Sequence, residues 1–155
     1  MARAKAIPEG FHTLTPYLIL RDAAKAIEFY RKAFDATEVS RHADDDGRIR
    51  HAEIRIGDSM VMLTEEASEW PEWKSPESRG GTPVHLYAYV EDADAMFARA
   101  IAAGATELLP IKDQPYGDRS GGVTDPFGHI WYISTRIEDV TSEEMKRRQE
   151  ETAKV

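Results

Sequence analysis

The chain contains one pattern twice, and this repeat limits its possible folds more than any other feature. The segments DAAKAIEFYRKAFDATEV (22–39) and DADAMFARAIAAGATEL (92–108) both begin with Asp-Ala and end with Ala-Thr-Glu and an aliphatic residue. In each segment the apolar residues have the spacing of one helix face. Asp22 and Asp92 are suited to cap the two helices, because a carboxylate accepts the free N–H groups of a first turn. The sequence therefore predicts two related units.

Apolar segments flank both predicted helices in the same order. One precedes each helix, LTPYLIL or PVHLYAYV. Three strand-like segments follow the first helix (ATEVSRH, RIRHAEIRIG and SMVMLTE) and three follow the second (ATELLPI, the stretch around GDRSGGVTD, and HIWYIST). We therefore expect one domain over residues 1–137, built from two modules of order strand–helix–strand–strand–strand at about 12–65 and 82–137. Residues 66–81 are expected to form a linker, and residues 138–155 a charged C-terminal helix and tail.

These segments give the chain a resemblance to a known family. The stretches LRDAAKAIEFYRKAF, VHLYAYVEDADAMFARAIAAGA and DPFGHIWYIST resemble the vicinal oxygen chelate superfamily, which contains glyoxalases, bleomycin-resistance proteins and dioxygenases. The resemblance implies an α+β fold in which two βαβββ modules form a curved mixed sheet around a cavity. It also implies a homodimer, since antibiotic-binding members of the superfamily often share sites between chains.

The resemblance further implies four metal-ligand positions, which correspond in this chain to Thr15, Met62 or its neighbour Met60, His85 and Tyr132. Only His85 is an ordinary metal ligand, whereas a catalytic zinc site usually has three protein ligands. Threonine, methionine and a neutral phenol bind divalent cations poorly. The sequence therefore predicts a branch of the family that lacks the usual metal site, and we expect no cofactor.

A rebuilt metal site is the alternative. Strand alternation places His51, Glu53 and Arg55 on one face of a predicted strand, from which His51 and Glu53 could join His85. Such a site would hold Zn, Ni, Mn or Fe and would make the protein a lyase or isomerase of the glyoxalase type, with His85 or Glu53 as a general base. The competing interpretation is that these side chains form a solvated strand face.

The side chains around the expected cavity are typical of a binding site for an organic molecule. The predicted ligand-binding residues are Thr15, Tyr17, Met60, Met62, His85, Tyr87 and Tyr132. Aromatic rings stack on flat molecules, and methionine adapts its shape to them. These residues predict a small-molecule-binding protein, although Met60 and Met62 could equally fill a core.

Three further features leave alternatives open. His129 follows the Asp-Pro-Phe-Gly turn and is expected to hydrogen-bond the backbone of that turn. Trp70 and Trp73 would cover the cavity or pack on a partner subunit. Arg119 is expected to pair with neighbouring carboxylates, the alternative being an anionic ligand.

Charge and composition restrict the partners and the location. The net charge of −8 disfavours nucleic acid and anionic lipid. The chain has no cysteine, and no apolar run approaches the ~20 residues that span a bilayer. We therefore expect a cytoplasmic protein whose partners are a small organic ligand and a second copy of the chain.

Overall fold

The computed structural model describes residues 3–153, and its first half is one module around a single helix. The elements of the first module are β1 (Tyr17–Leu20), α1 (Ala23–Phe34), β2 (Thr37–Ala43), β3 (Ile49–Ile56) and β4 (Ser59–Glu65). Asp22 caps α1 as predicted, since its Oδ1 accepts from the backbone N–H of Lys25 at 3.1 Å.

The second module repeats this order. Its elements are β5 (His85–Tyr89), α3 (Ala93–Ala103), β6 (Thr106–Asp113), β7 (Asp118–Thr124) and β8 (Ile130–Arg136). Asp92 caps α3 through a 3.0 Å bond from the N–H of Ala95. Gly104 ends α3 at a φ of 122°, a backbone conformation that glycine adopts readily.

Each module contributes one four-stranded sheet. The strand orders are β1-β4-β3-β2 and β5-β8-β7-β6, and in each sheet the first pair is parallel while the other pairs are antiparallel. The predicted α+β fold with two βαβββ modules is confirmed.

The segment between the modules is more ordered than a simple linker. It contains a short helix, α2 (Pro76–Arg79), which Ser75 caps. Beyond β8, α4 (Ser142–Ala153) begins after Thr141, whose Oγ1 accepts from the N–H of Glu144 at 3.1 Å. The predicted C-terminal helix is present, and residues 154 and 155 lie outside the described part of the chain.

The two modules share one hydrophobic core on the helix side of their sheets. α1 packs against α3, and the ring of Phe34 on α1 lies 4.7 Å from the ring of Trp131 on β8. Leu20 and Ile133, from different modules, belong to the same buried cluster. The modules are therefore joined through their helices.

Within residues 3–153, no helix is both long enough and apolar enough to cross a membrane.

Candidate functional site

Each sheet has one face that the helices do not cover. On the first sheet, Leu18 and Leu63 point into the core, while the alternating residues Tyr17 and Met62 lie side by side on the opposite face. The pairing of Glu53 with Met62 adds β3 to that face. We call it the first open face. Tyr17 is 39% exposed, so this face is accessible in the single chain.

A chain of hydrogen bonds connects the polar side chains of the first open face. Nδ1 of His51 lies 3.2 Å from the hydroxyl oxygen of Tyr17, and Nε2 lies 3.3 Å from Oε2 of Glu53. The other oxygen of Glu53 accepts from the hydroxyl of Ser40 at 3.3 Å. His51 and Glu53 therefore lie together on the predicted face of β3.

The two linker tryptophans lie beside this face. The ring of Trp73 meets the ring of Tyr17 edge-on at 5.5 Å, and Trp70 lies 6.2 Å from Trp73. Trp70 also stacks on the guanidinium of Arg50 at 5.3 Å. Trp73 therefore contacts the first open face, and the two predicted roles of the tryptophans, covering the cavity or packing on a partner subunit, stay predictions.

The second sheet carries a row of four rings on its uncovered face, which we call the second open face. Tyr87 stacks on Tyr132 with ring centroids 5.7 Å apart and planes at 16°. His85 extends the row beyond Tyr132 at 5.5 Å, and Tyr89 extends it beyond Tyr87 at 5.3 Å. The parallel register of β5 and β8 produces this row, because it places Tyr87 opposite Tyr132. We call these four residues the ring ladder.

A buried carboxylate fixes one end of the ring ladder. Oδ2 of Asp118 accepts from the hydroxyls of Tyr87 at 2.7 Å and Tyr89 at 2.9 Å, and Oδ1 accepts from Arg136 at 3.1 Å. Asp118 is only 1% exposed. Burial alone would raise the pKa of Asp118, but these three donors hold it below its ordinary value.

Two phenols near Asp118, those of Tyr89 and Tyr116, have raised pKa values. The hydrogen bond to Asp118 is the first cause that raises the pKa of Tyr89. Burial, followed by contact with Tyr87, raises the pKa of Tyr116 to about 12. Both phenols therefore stay neutral near pH 7, and the exposed parts of the Tyr87 and Tyr89 rings are available to a ligand.

A cleft of about 1080 Å³ lies between the modules. It runs along β5 and is lined on the other side by the residues that precede β1 and by the β3–β4 turn. Three of the predicted ligand-binding residues share this cleft, namely Thr15, Met60 and Tyr87.

The seven predicted ligand-binding residues are thus divided among three places. Thr15 and Met60 line the cleft, Tyr17 and Met62 lie on the first open face, and His85, Tyr87 and Tyr132 form most of the ring ladder. Tyr87 belongs to both the cleft and the ladder.

The residues at the family's metal positions do not fit a divalent cation. They offer a hydroxyl, a thioether, one imidazole and a phenol, from Thr15, Met62, His85 and Tyr132. The rebuilt set is also divided, since His51 and Glu53 lie on the first sheet and His85 on the second. Among residues 3–153, no three His, Asp or Glu side chains are grouped so that they could hold a metal ion.

Of two polar residues with predicted structural partners, one also has a partner that was not expected. The backbone N–H of His129 serves the turn by donating to Asp125, but its ring Nε2 lies 3.2 Å from the carbonyl of Ile19 in the other module. Arg119 binds Asp94 at 2.6 Å and Asp113 at 2.9 Å. The predicted pairing of Arg119 with neighbouring carboxylates is confirmed.

Sequence reasoning missed Asp118 and Ser40 as members of the open faces. Asp118 opens a glycine-rich strand and carries no motif. Once β7 is assigned, its pairing with Arg136 places it on the face of Tyr87 and Tyr89. Strand alternation supplies that signal only when the register is known.

The comparisons with known proteins agree with this geometry. The model of the family described as "Glyoxalase/Bleomycin resistance protein/Dioxygenase superfamily" matches residues 11–133 of this chain. The uncharacterized protein Mb0911c of Mycobacterium bovis is 45% identical over 135 residues, which cover 86% of this chain and 89% of that protein.

Solved structures share the fold. TioX from Micromonospora sp. ML1 is similar at a TM-score of 0.63 and 28% identity, over 84% of this chain and 100% of TioX. The fosfomycin resistance protein FosX from Mesorhizobium loti is similar at a TM-score of 0.60 and 20% identity, over 86% of this chain and 95% of FosX. The repeated modules, the sheet topology and these matches show that the chain belongs to the glyoxalase/bleomycin resistance protein/dioxygenase superfamily.

Proposed function

We propose that this protein binds a small, planar organic molecule on its open faces and does so without the metal site usual in its family. The ring ladder is the observation that carries the proposal. Four rings at centroid spacings of 5.3 to 5.7 Å form a continuous aromatic surface, and Tyr87 is 42% exposed and Tyr89 62% exposed. A flat ligand that stacks on such a surface gains both apolar burial and ring contact.

Asp118 supports this function by preorganising the ladder. The hydroxyls of Tyr87 and Tyr89 are both bound to one buried carboxylate, so their rings lose little rotational freedom when a ligand binds. Met62 and the ring of Trp73 offer adaptable and aromatic contacts on the first open face, beside Tyr17.

The metal-dependent alternative keeps one specific support, which is the adjacency of His51 and Glu53. It requires His85 to join them from the other sheet, and in a dimer that histidine would come from a second copy. This alternative predicts a lyase or isomerase of the glyoxalase type.

A thermal-shift screen distinguishes the two functions. Purified protein in EDTA is tested against planar aromatic antibiotics and uncharged aromatic probes, and in parallel against Zn²⁺, Ni²⁺ and Mn²⁺ without EDTA. We expect at least one planar compound to raise the melting temperature in EDTA by mass action. A shift that occurs with a metal ion and disappears in His85→Ala would refute the metal-free proposal.

We also propose that the protein is a homodimer in which the open faces contribute to the interface. Large aromatic side chains of both open faces are exposed in the single chain, with Tyr17 at 39% and Tyr89 at 62%. Exposed apolar patches of this kind commonly mark association surfaces. Light scattering coupled to size exclusion should give twice the chain mass of 17.5 kDa, and a mass of one chain would contradict the proposal.

A further inference from the structure

Register brings four side chains into one row on the first open face. Ser40 on β2 pairs with Glu53 on β3, Glu53 pairs with Met62 on β4, and Met62 pairs with Tyr17 on β1. His51 lies two residues before Glu53 on the same side of β3 and spans the distance between Glu53 and Tyr17. The row therefore connects a carboxylate, an imidazole and a phenol in sequence.

The partners of His51 assign its tautomer. A carboxylate accepts hydrogen bonds, so the Nε2 atom that contacts Glu53 carries the proton. Nδ1 then has a free lone pair, and the hydroxyl of Tyr17 donates to it at 3.2 Å. In this arrangement the carboxylate of Glu53 orients the imidazole of His51, and the imidazole can act as a base towards the phenol of Tyr17.

The surroundings of Tyr17 suit proton transfer to or from a bound molecule. The ring of Trp73 contacts the ring of Tyr17 at 5.5 Å, and Met62 lies beside Tyr17 in the register. Both are apolar, so a ligand over Tyr17 would displace water from the phenol oxygen. Glu53 places a negative charge behind the imidazole, which favours a substrate that is neutral before it loses a proton.

We propose that Glu53, His51 and Tyr17 form a metal-free proton relay that removes a proton from a neutral, weakly acidic molecule bound on the first open face. The inference rests on the proposed function, because the relay acts on the small molecule that the protein is proposed to bind. The oxygen of Tyr17 accepts the substrate's O–H or activated C–H proton while the phenol proton passes to Nδ1 of His51. The substrate keeps the electron pair as an anion, and Glu53 stabilises the imidazolium as a positioning residue. The proton then returns to the substrate or to water.

Acetylation by N-acetylimidazole tests the relay without any ligand. The reagent transfers its acetyl group to a phenol oxygen, imidazole leaves, and the phenol proton passes to a base. Peptide mass spectrometry would follow Tyr17 in the wild type and in His51→Gln. We expect the acetylation rate of Tyr17 to fall about tenfold or more in His51→Gln. His12→Gln, at an exposed histidine that precedes β1 and lies outside the relay, should leave that rate unchanged.

The role of Glu53 has its own readout. In ¹⁵N-labelled protein, the ring nitrogens of His51 should show a protonated Nε2 and a bare Nδ1, and Glu53→Leu should give a mixture of tautomers. A wild-type spectrum with Nδ1 protonated would overturn the relay. Circular dichroism of each variant checks that the fold is retained.

The planar probe 5-nitrobenzisoxazole tests removal of a proton from a bound molecule. A base takes its C3 proton, the N–O bond opens, and a nitrile and a phenolate form. We expect kcat/KM to fall about tenfold or more in His51→Gln and to be unchanged in His12→Gln. Equal values in the wild type and His51→Gln, or an equal acetylation rate of Tyr17, would overturn the relay. Either result would leave the proposed ligand binding intact. An absence of stabilising compounds in the thermal-shift screen would refute the proposed function, but it would not alter the acetylation rates.

Discussion

Asp125 is a buried carboxylate that links the two modules by hydrogen bonds. Its Oδ2 accepts from the hydroxyl of Tyr30 at 2.6 Å and from the indole N–H of Trp131 at 3.0 Å, while Oδ1 accepts from the N–H groups of Phe127 and His129. It is 3% exposed. Burying a carboxylate is tolerated here because four donors replace water.

Tyr30→Phe is expected to lower the free energy of unfolding by about 2 kcal/mol, because it removes one donor from a buried carboxylate. Burial, followed by the charge of Asp125, raises the pKa of Tyr30, so its hydroxyl stays protonated and the effect should be constant through neutral pH. Urea denaturation measures the change. Tyr132→Phe on the second open face is the control and should change stability by less than about 0.5 kcal/mol. Equal losses in the two variants would contradict the role of Asp125.

The sequence alone predicted the role of a residue where its partners are close in the chain. It did not predict contacts between residues that are distant in the chain. The caps Asp22 and Asp92 were predictable because a cap and its helix are adjacent. The contact of His129 with Ile19 was not, because 110 residues separate them. Asp118 accepts hydrogen bonds from two tyrosines, and these contacts were not predictable either, because they depend on strand register.

At the scale of elements, β7 is shaped by two consecutive glycines that serve opposite faces. A Cβ on Gly121 would lie 2.8 Å from the ring of Phe97 on α3 and 2.9 Å from the backbone of Ile111. A Cβ on Gly122 would lie 3.3 Å from the ring of Tyr132. Gly121 therefore lets α3 approach β7, and Gly122 lets the ring of Tyr132 lie close to β7.

The two glycines separate stability from binding. Gly121→Ala should destabilise the protein by about 1–3 kcal/mol through overpacking against α3. Gly122→Ala should cost less than about 1 kcal/mol, because the half-buried ring of Tyr132 can move, but that movement should weaken ligand binding. Denaturation curves and the thermal shift with a stabilising compound measure both effects. A Gly122→Ala protein that binds as tightly as the wild type would count against the ladder.

Glu66, the first residue of the linker, holds the linker together through hydrogen bonds from the start of α2. Burial alone would raise the pKa of Glu66, but hydrogen bonds from Ser75 and Ser78 and the charge of Arg21 lower it from 4.5 to about 2. Because the folded-state pKa is depressed, the stabilisation is present above the ordinary value of 4.5 and is lost as pH falls towards 2.

Glu66→Gln should therefore lower the free energy of unfolding by about 1 kcal/mol at pH 7, and this difference should shrink between pH 5 and pH 2. Glu9→Gln, at an exposed side chain paired with Lys5, is the control and should have no measurable effect. Denaturation at several pH values measures both variants. A Glu66→Gln difference that stays constant down to pH 2 would show that the carboxylate is not what holds the linker.

The elements followed from the sequence more completely than the linker did. Alternation and helical spacing are local, and they predicted both modules in the correct order. The short helix α2 was missed because a four-residue helix has no apolar periodicity to detect. It forms because Ser75 caps it and Gly80 ends it at a φ of 81°.

At the scale of the whole molecule, one arrangement explains most of the observations. The helices join the modules and leave one face of each sheet accessible, and these two faces carry the aromatic and polar side chains that the core does not use. The sequence predicted one cavity lined by residues of both modules, and it could not predict how these residues divide between two faces and the cleft. That division depends on packing between modules, which no local pattern encodes.

The most direct test of metal-free binding at the ring ladder is isothermal titration, in EDTA, of the planar compound that stabilises the protein most. The wild type is compared with Tyr132→Ala and with Ile101→Ala, a control on the outer side of α3. Binding in EDTA by the wild type and Ile101→Ala, weakened about tenfold or more in Tyr132→Ala, is the predicted result. Equal affinity in all three proteins, or binding only after a metal is restored, would contradict it.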